Sequence, residues 1–248
     1  MISIGGVKML KNIKHKIVFV LFVLLIIFSC IGNNNIFAGY RGPLNSIAID
    51  FYKTGDLKLA IDKLDKVENS FNEKDNYEYY VFKGDMELLI GEMKEVFDQE
   101  EAEDNFSEAR EFGEKALEEK QTYLAKRIYY ESITKLFNYR GLFFILNNSK
   151  KAENLLDDLL ILKPEDKMTL LLQAFYYVDS PSIAGGDKNK GIELLNEIKE
   201  FDDPIFNFIA SNKLWRIYKD EGDEKKANEN IEFAKIIFPD SPLIGKLF

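Results

Sequence analysis

The sequence predicts an all-α protein, a solenoid of about five stacked helical hairpins, and three observations carry that prediction. A small residue followed by apolar or small residues four and seven positions later recurs five times. The copies are Ala60 with Leu64 and Val67, Ala109 with Gly113 and Ala116, Ala152 with Leu156 and Leu159, Gly191 with Leu195 and Ile198, and Ala227 with Ile231 and Ala234. That spacing puts three side chains on one helix face, and the small leading residue lets a neighbouring helix come close. In three copies a Gly-Asp pair stands just ahead: Gly55-Asp56, Gly186-Asp187 and Gly222-Asp223. Glycine can adopt the left-handed conformation that ends one helix, and aspartate can accept from the unpaired N–H groups that open the next. Finally, no alternation of period two bounded by hairpin turns occurs, so no sheet is expected.

Taken in order, residues 41–72 form the first hairpin and 73–120 the second, with an aromatic first helix (YEYYVF, then MELLIGEMKEVF) and an acidic connector, DQEEAED. Residues 121–164 form the third. Its first helix carries IYY and LFNYRGLFFIL, which sets Phe137 and Phe144 two turns apart on one helix. Asn147 to Pro164 then reads as a turn, a short helix and a stop. Proline lacks an N–H and disfavours helix in the residue before it, so that helix ends near Leu162. Residues 165–203 form the fourth hairpin around the turn SPSIAGGD, and 204–239 the fifth. The closing SPLIGKLF is expected as a short packed helix.

The frame resembles the tetratricopeptide repeat (TPR) family, a helix–turn–helix unit of 34 residues. The matching stretches are FYKTGDLKLAIDKLDKV from Phe51 and the run from Ile217 to Pro239. Successive small-residue positions lie 49, 43, 39 and 36 residues apart, so every repeat is longer than the family unit. The resemblance implies a right-handed superhelix over 41–248 whose first helices line a concave face. It also implies a non-enzymatic scaffold or adaptor that docks a protein or peptide there. In that frame Tyr52, Phe137, Phe144, Phe175, Arg216 and Lys219 are the candidate groove residues. Apolar groove residues with polar neighbours suit a helical or extended peptide. The competing reading of the rings is core, because aromatics at helical spacing usually seal one repeat against the next.

Residues 1–29 carry four lysines, no acid and the apolar run from Ile17, which is the pattern of an export signal. The run from Ile17 to Ile31 is shorter than the roughly 20 residues a spanning helix needs. Two cleavage sites fit. Ile27-Phe28-Ser29-Cys30 resembles a bacterial lipobox, which would make Cys30 the lipidated first residue and 30–40 a tether. Ile36-Phe37-Ala38 suits an ordinary signal peptidase instead. The lipoprotein reading is preferred. Either places the protein in the cell envelope, lipid-anchored or soluble in the periplasm.

With four of the 33 basic residues in the leader, 29 remain against 42 acidic ones. Such an acidic array is repelled by nucleic acid and anionic lipid, so the only expected membrane contact is a lipid anchor on Cys30. The one histidine, His15, lies in the leader, and the one cysteine is lipidated or removed. Ser–His–Asp and Cys–His nucleophiles, zinc on His or Cys, haem, iron–sulfur clusters and internal disulfides are thereby excluded, and no cofactor is expected. A carboxylate-based, glycan-cleaving enzyme is the remaining enzymatic reading.

Gly186 and Gly191 have phosphate-loop spacing, but Ile192 and Glu193 stand where that loop needs Lys and Ser or Thr. The acidic connector lacks the glycine and spacing of a calcium loop. The turn from Pro181 to Asp187 resembles the GGD loop of the T component of TRAP transporters, a helical-repeat lipoprotein family placed beside a periplasmic solute receptor. That likeness implies a turn shaped by Gly185, Gly186 and Asp187, and an accessory subunit of solute uptake as the alternative function.

Overall fold

The structure, a computed structural model, describes residues 41–97 and 99–246. The export signal at 1–29, the tether at 30–40 and the lipidation site Cys30 lie outside the described residues. The chain divides after Pro43, and the unit beginning at Leu44 is the one described below.

Among the described residues this unit is all-helical, without a strand. Its ten α-helices are α1 (Asn45–Thr54), α2 (Leu57–Glu68), α3 (Tyr77–Glu95), α4 (Gln99–Glu119), α5 (Tyr123–Leu136), α6 (Leu142–Leu162), α7 (Lys167–Asp179), α8 (Lys188–Ile198), α9 (Pro204–Asp220) and α10 (Glu224–Ile237). They pair as five hairpins inside the expected spans. The three aspartates of the repeat frame each open a second helix: Asp56 accepts from the Leu59 N–H at 2.9 Å, Asp187 from Lys190 at 3.2 Å and Asp223 from Lys226 at 3.1 Å. First helices are opened the same way by Asn76, Thr122, Asp166 and Asp203. Each cap gives a partner to an N–H that a helix terminus leaves unpaired. All five small positions are buried on second helices, and α6 stops at Leu162, two residues before Pro164.

The two kinds of helix are buried differently. Second helices hide one stripe: on α4 this is Ala102, Phe106, Ala109, Gly113 and Ala116. Three first helices are buried on every side, without a break over Gly84–Met93 of α3, Arg127–Ile133 of α5 and Phe208–Leu214 of α9, whereas α1 and α7 keep partly exposed faces. Of the first helices, α3, α5 and α9 are therefore the most deeply enclosed. Packing follows chain order from α1 to α10, with α3 also against α5 and α7 against α9.

Five expectations need correction. The first helix of the third hairpin stops at Leu136, and α6 begins at Leu142, so Phe137 and Phe144 lie on opposite sides of a turn. Gly141, extended at φ −67° and ψ 175°, is the N-cap that breaks the run, and glycine is a poor helix former. Asn147 to Ser149, expected as a turn, is therefore helical, and the Asn148 amide donates back to the Phe144 carbonyl at 2.8 Å. The acidic connector mostly belongs to the first turns of α4, where carboxylates suit the positive helix end. In the fourth hairpin the left-handed residue is Gly185, at φ +87°, rather than Gly186. Gly186 is needed for close approach, since a Cβ there would fall 1.9 Å from the Ser180 carbonyl oxygen.

The C-terminal stretch makes turns and no helix over 241–246, with Gly245 left-handed and its N–H on Asn212 Oδ1 at 2.8 Å. In a simple stack each repeat touches only its neighbours. Here α1 also packs against α9, and the Ser241 hydroxyl donates to the Tyr52 carbonyl.

Candidate binding surface

The first helices from α3 to α9 run in the same direction, as their side-chain pairs show. Between α3 and α5, Arg127 meets Asp85, and Lys135 meets Glu95 at 2.6 Å, so residue numbers rise together. Between α5 and α7, the Tyr123 hydroxyl donates to Asp166 at 2.6 Å, while Tyr130 lies in the field of Tyr176 and Asp179. Between α7 and α9, Lys167 reaches the Asp202 carbonyl, and Lys213 reaches Asp179. Four parallel helices thus end together, and the turns within hairpins gather at that end.

Most of the candidate groove residues sit toward this end, in two groups. Phe137 caps α5 and meets Phe144, in the first turn of α6, edge-on at 6.1 Å between ring centroids. Both rings are half-buried. Phe144 also packs on the cluster formed by Val81, Leu88, Phe106 and Ile128, under the Arg140 guanidinium at 5.0 Å. The second group joins Phe175, half-buried on α7, to Arg216 and Lys219, both exposed on α9. Tyr52 belongs to neither. It is 2% exposed, held between Phe51 and Phe208, and seals the first hairpin to the last.

Lys213 links the second group. Its ammonium lies 5.0 Å from the centre of the Phe175 ring and binds both oxygens of Asp179, at 2.7 and 3.0 Å. Burial pushes this lysine below its usual range, Asp179 pulls it back, and the charges of Arg216 and Lys135 lower it further. One turn along α9, Arg216 has no hydrogen-bond or ion-pair partner among the described residues, and Lys219 only covers the Trp215 ring at 4.7 Å. The geometry offers an exposed guanidinium one turn from the lysine that covers the Phe175 ring. Such a fork can take a carboxylate through two N–H donors while the ring receives an apolar group.

Other charges on first helices are consumed by the fold. Arg127 donates to Glu131 at 2.8 Å and also pairs with Asp85, with all three side chains at most 10% exposed. Lys83 bridges Glu87 at 2.7 Å and Glu68 at 2.9 Å. Burial opposes its charge, but the two carboxylates outweigh that and raise it. Tyr79 donates to Glu68 at 2.8 Å, and burial together with that bond lifts its phenol to about 12. No group of three or more His, Cys, Asp or Glu side chains among the described residues is placed to hold a metal. None of the described helices is long and apolar enough to cross a membrane.

Sequence reading missed Lys213 and Asp179. Their signal was faint: a lysine in the apolar run of α9 and an aspartate at the end of α7, 34 residues apart. It also missed the outward face of α6, because the apolar run across Gly141 fits one continuous helix. No protein-family model matches the chain, and no curated protein matches it significantly.

Proposed function

We propose that the protein is a non-enzymatic binding module of the TPR type, a right-handed array of helical hairpins that docks a peptide or protein partner. The observation that carries this reading is the exposed, unpaired Arg216 one turn from Lys213, which covers the Phe175 ring and pairs with Asp179. A partner carboxylate would meet Arg216, and an adjacent apolar side chain would rest on Phe175. The leader pattern supports export to the cell envelope, with Cys30 as the lipid anchor. Isothermal titration with short peptides bearing a free terminal carboxylate, against their amidated forms, tests the reading. Preference for the free carboxylate, lost in Arg216→Ala with an unchanged unfolding midpoint, is expected. Equal binding of both forms would remove Arg216 from the site.

One observation favours the accessory-subunit reading as second. The GGD loop is a built feature: the Tyr176 hydroxyl donates to the Ala184 carbonyl at 2.6 Å, and the Asp187 N–H donates to the Tyr177 carbonyl at 2.9 Å. Pull-down with an adjacent solute receptor would separate this role from a general adaptor.

A further inference from the structure

One flank of α4 carries Glu103, Ser107, Arg110, Glu114 and Leu117, spaced by three and four residues and so on one side of the helix. Contacts show that it faces the third hairpin. Arg140, in the turn before α6, donates to Glu103 at 3.0 Å and to the Ser107 hydroxyl at 2.8 Å. Farther along α4, Gly113 lies so close to α5 that an added Cβ would stand 3.0 Å from the Tyr129 nitrogen. Tyr129 in turn holds Lys151 of α6, whose ammonium donates to its hydroxyl at 2.6 Å and sits 4.1 Å from the ring centre. Arg110 stands between these two links. Both α4 and α6 pack on α5 rather than on each other, which leaves a gap between them above Tyr129.

Arg110 is half-buried, yet none of its donors meets an acceptor among the described residues, and its Nε is fully enclosed. A guanidinium carries five N–H donors, and buried polar groups are almost always hydrogen-bonded. Lys151 has only the neutral Tyr129 hydroxyl and ring as partners among the described residues. The nearby carboxylates do not neutralise these two cations. Glu103 is taken by Arg140, and Asp158 of α6 by Lys126. Glu114, exposed one turn beyond Arg110, makes no ion pair with either. Two uncompensated positive charges therefore border one gap, in a chain with nine more acids than bases.

We infer that the gap between α4 and α6 binds a phosphate-type dianion, free or as a monoester, between Arg110 and Lys151. A tetrahedral oxyanion turns oxygens in several directions. The planar fork of Arg110 can take two of them while the ammonium of Lys151 takes a third. Two negative charges balance the two cations, whereas a single carboxylate balances one. The site uses neither Arg216 nor Phe175, so it stands or falls apart from the peptide-binding reading.

The test follows the thermal midpoint of the full chain in sodium phosphate against sodium chloride, at equal ionic strength in weakly basic buffer. A ligand that binds only the folded state raises the midpoint. A saturable rise with phosphate is expected, and acetate should give none, because so acidic a chain repels anions elsewhere. Phosphoserine carries the same dianion as an ester, and whichever of the two saturates at lower concentration is the form the site takes. Arg110→Gln and Lys151→Gln should each raise the half-saturating concentration about tenfold or more, the worth of one charge-assisted bond. Lys151 is exposed, so its variant keeps the fold. Lys150→Gln, the same charge change on a neighbour paired with Glu153, should leave saturation unaltered. A phosphate effect no larger than that of acetate means that water alone serves Arg110, and overturns the proposal. An effect indifferent to both Arg110→Gln and Lys151→Gln, or abolished by Arg216→Gln instead, overturns it as well.

Discussion

The ring of Tyr52 meets the ring of Phe208 edge-on, 5.8 Å between centroids, and so joins the first hairpin to the last. Around this contact the Tyr52 carbonyl accepts from Ser241, and Phe208 also meets Phe238 at 5.1 Å. An array with neighbour contacts alone frays from its ends. Here the ends hold each other, so their unfolding should be coupled.

Tyr52→Ala should therefore cost about 3–5 kcal/mol, the range for emptying a buried ring site. Hydrogen exchange should show α1 and α2 opening well before α5 in the variant, and nearly together with it in the parent chain. Unchanged protection of α1 in the variant would mean that the contact couples nothing.

Close approach at the small positions gives a second test. Ala152 is 5% exposed, and enlarging it to leucine should cost about 1–3 kcal/mol through overpacking. Asn154→Leu, two residues on at an exposed position of the same helix, should change the urea midpoint little. At Gly191 an added Cβ would lie 2.4 Å from Val178 Cγ2 and 3.0 Å from the Ala174 carbonyl oxygen. Gly191→Ala should thus destabilise, although alanine is the better helix former. Stabilisation would show that α7 and α8 can separate at no cost.

These tests also mark how much could be read in advance. The hairpin count, the five small positions and the caps at Asp56, Asp187 and Asp223 are set by local chemistry, namely the helix period, glycine freedom and carboxylate capping, and are legible in the sequence. The break at Gly141 is not, because apolar residues on both sides fit one continuous helix and a single glycine weakens a helix without having to end it. The Lys213–Asp179 pair and the Tyr52–Phe208 closure depend on helices far apart in the chain, and no local pattern encodes them. Aromatic periodicity had the same limit. It marked Phe144 and Tyr52 equally, yet one is half-buried beside a turn and the other sits in the core.

The caps should make stability fall in acid. Asp187 and Asp223 are held below the usual 3.8, first by backbone N–H groups and next by Lys190 and Lys226. A depressed carboxyl stabilises the fold above its unfolded pKa, and that contribution is lost as pH falls through the folded value. The thermal midpoint should thus decline as pH drops below about 4. The double variant Asp187→Asn with Asp223→Asn keeps a neutral cap and should show a shallower decline. An identical acid slope would mean that other carboxylates govern it.

Two buried cations on first helices should respond oppositely to the same substitution. Arg127 is surrounded by Asp85 and Glu131, whose side chains are 10% and 6% exposed, so Arg127→Met strands two buried carboxylates. Loss of about 3–5 kcal/mol is expected. Lys213 is as deeply placed, but its partner Asp179 has a side chain 56% exposed and can return to water. Lys213→Met, which also packs on Phe175, should be neutral or stabilising by comparison. A pH titration makes the contrast sharper. Burial lowers Lys213 from the usual 10.5, so the unfolded chain holds a proton that the folded chain has already released. Stability from this group rises as pH climbs from the folded value toward the unfolded one. The difference in midpoint between the parent and Lys213→Met should accordingly shift in the parent's favour from neutral pH toward pH 10. If Lys213→Met costs as much as Arg127→Met at pH 7, the Lys213–Asp179 pair is structural. The Arg216 face would then lose one wall of its proposed site.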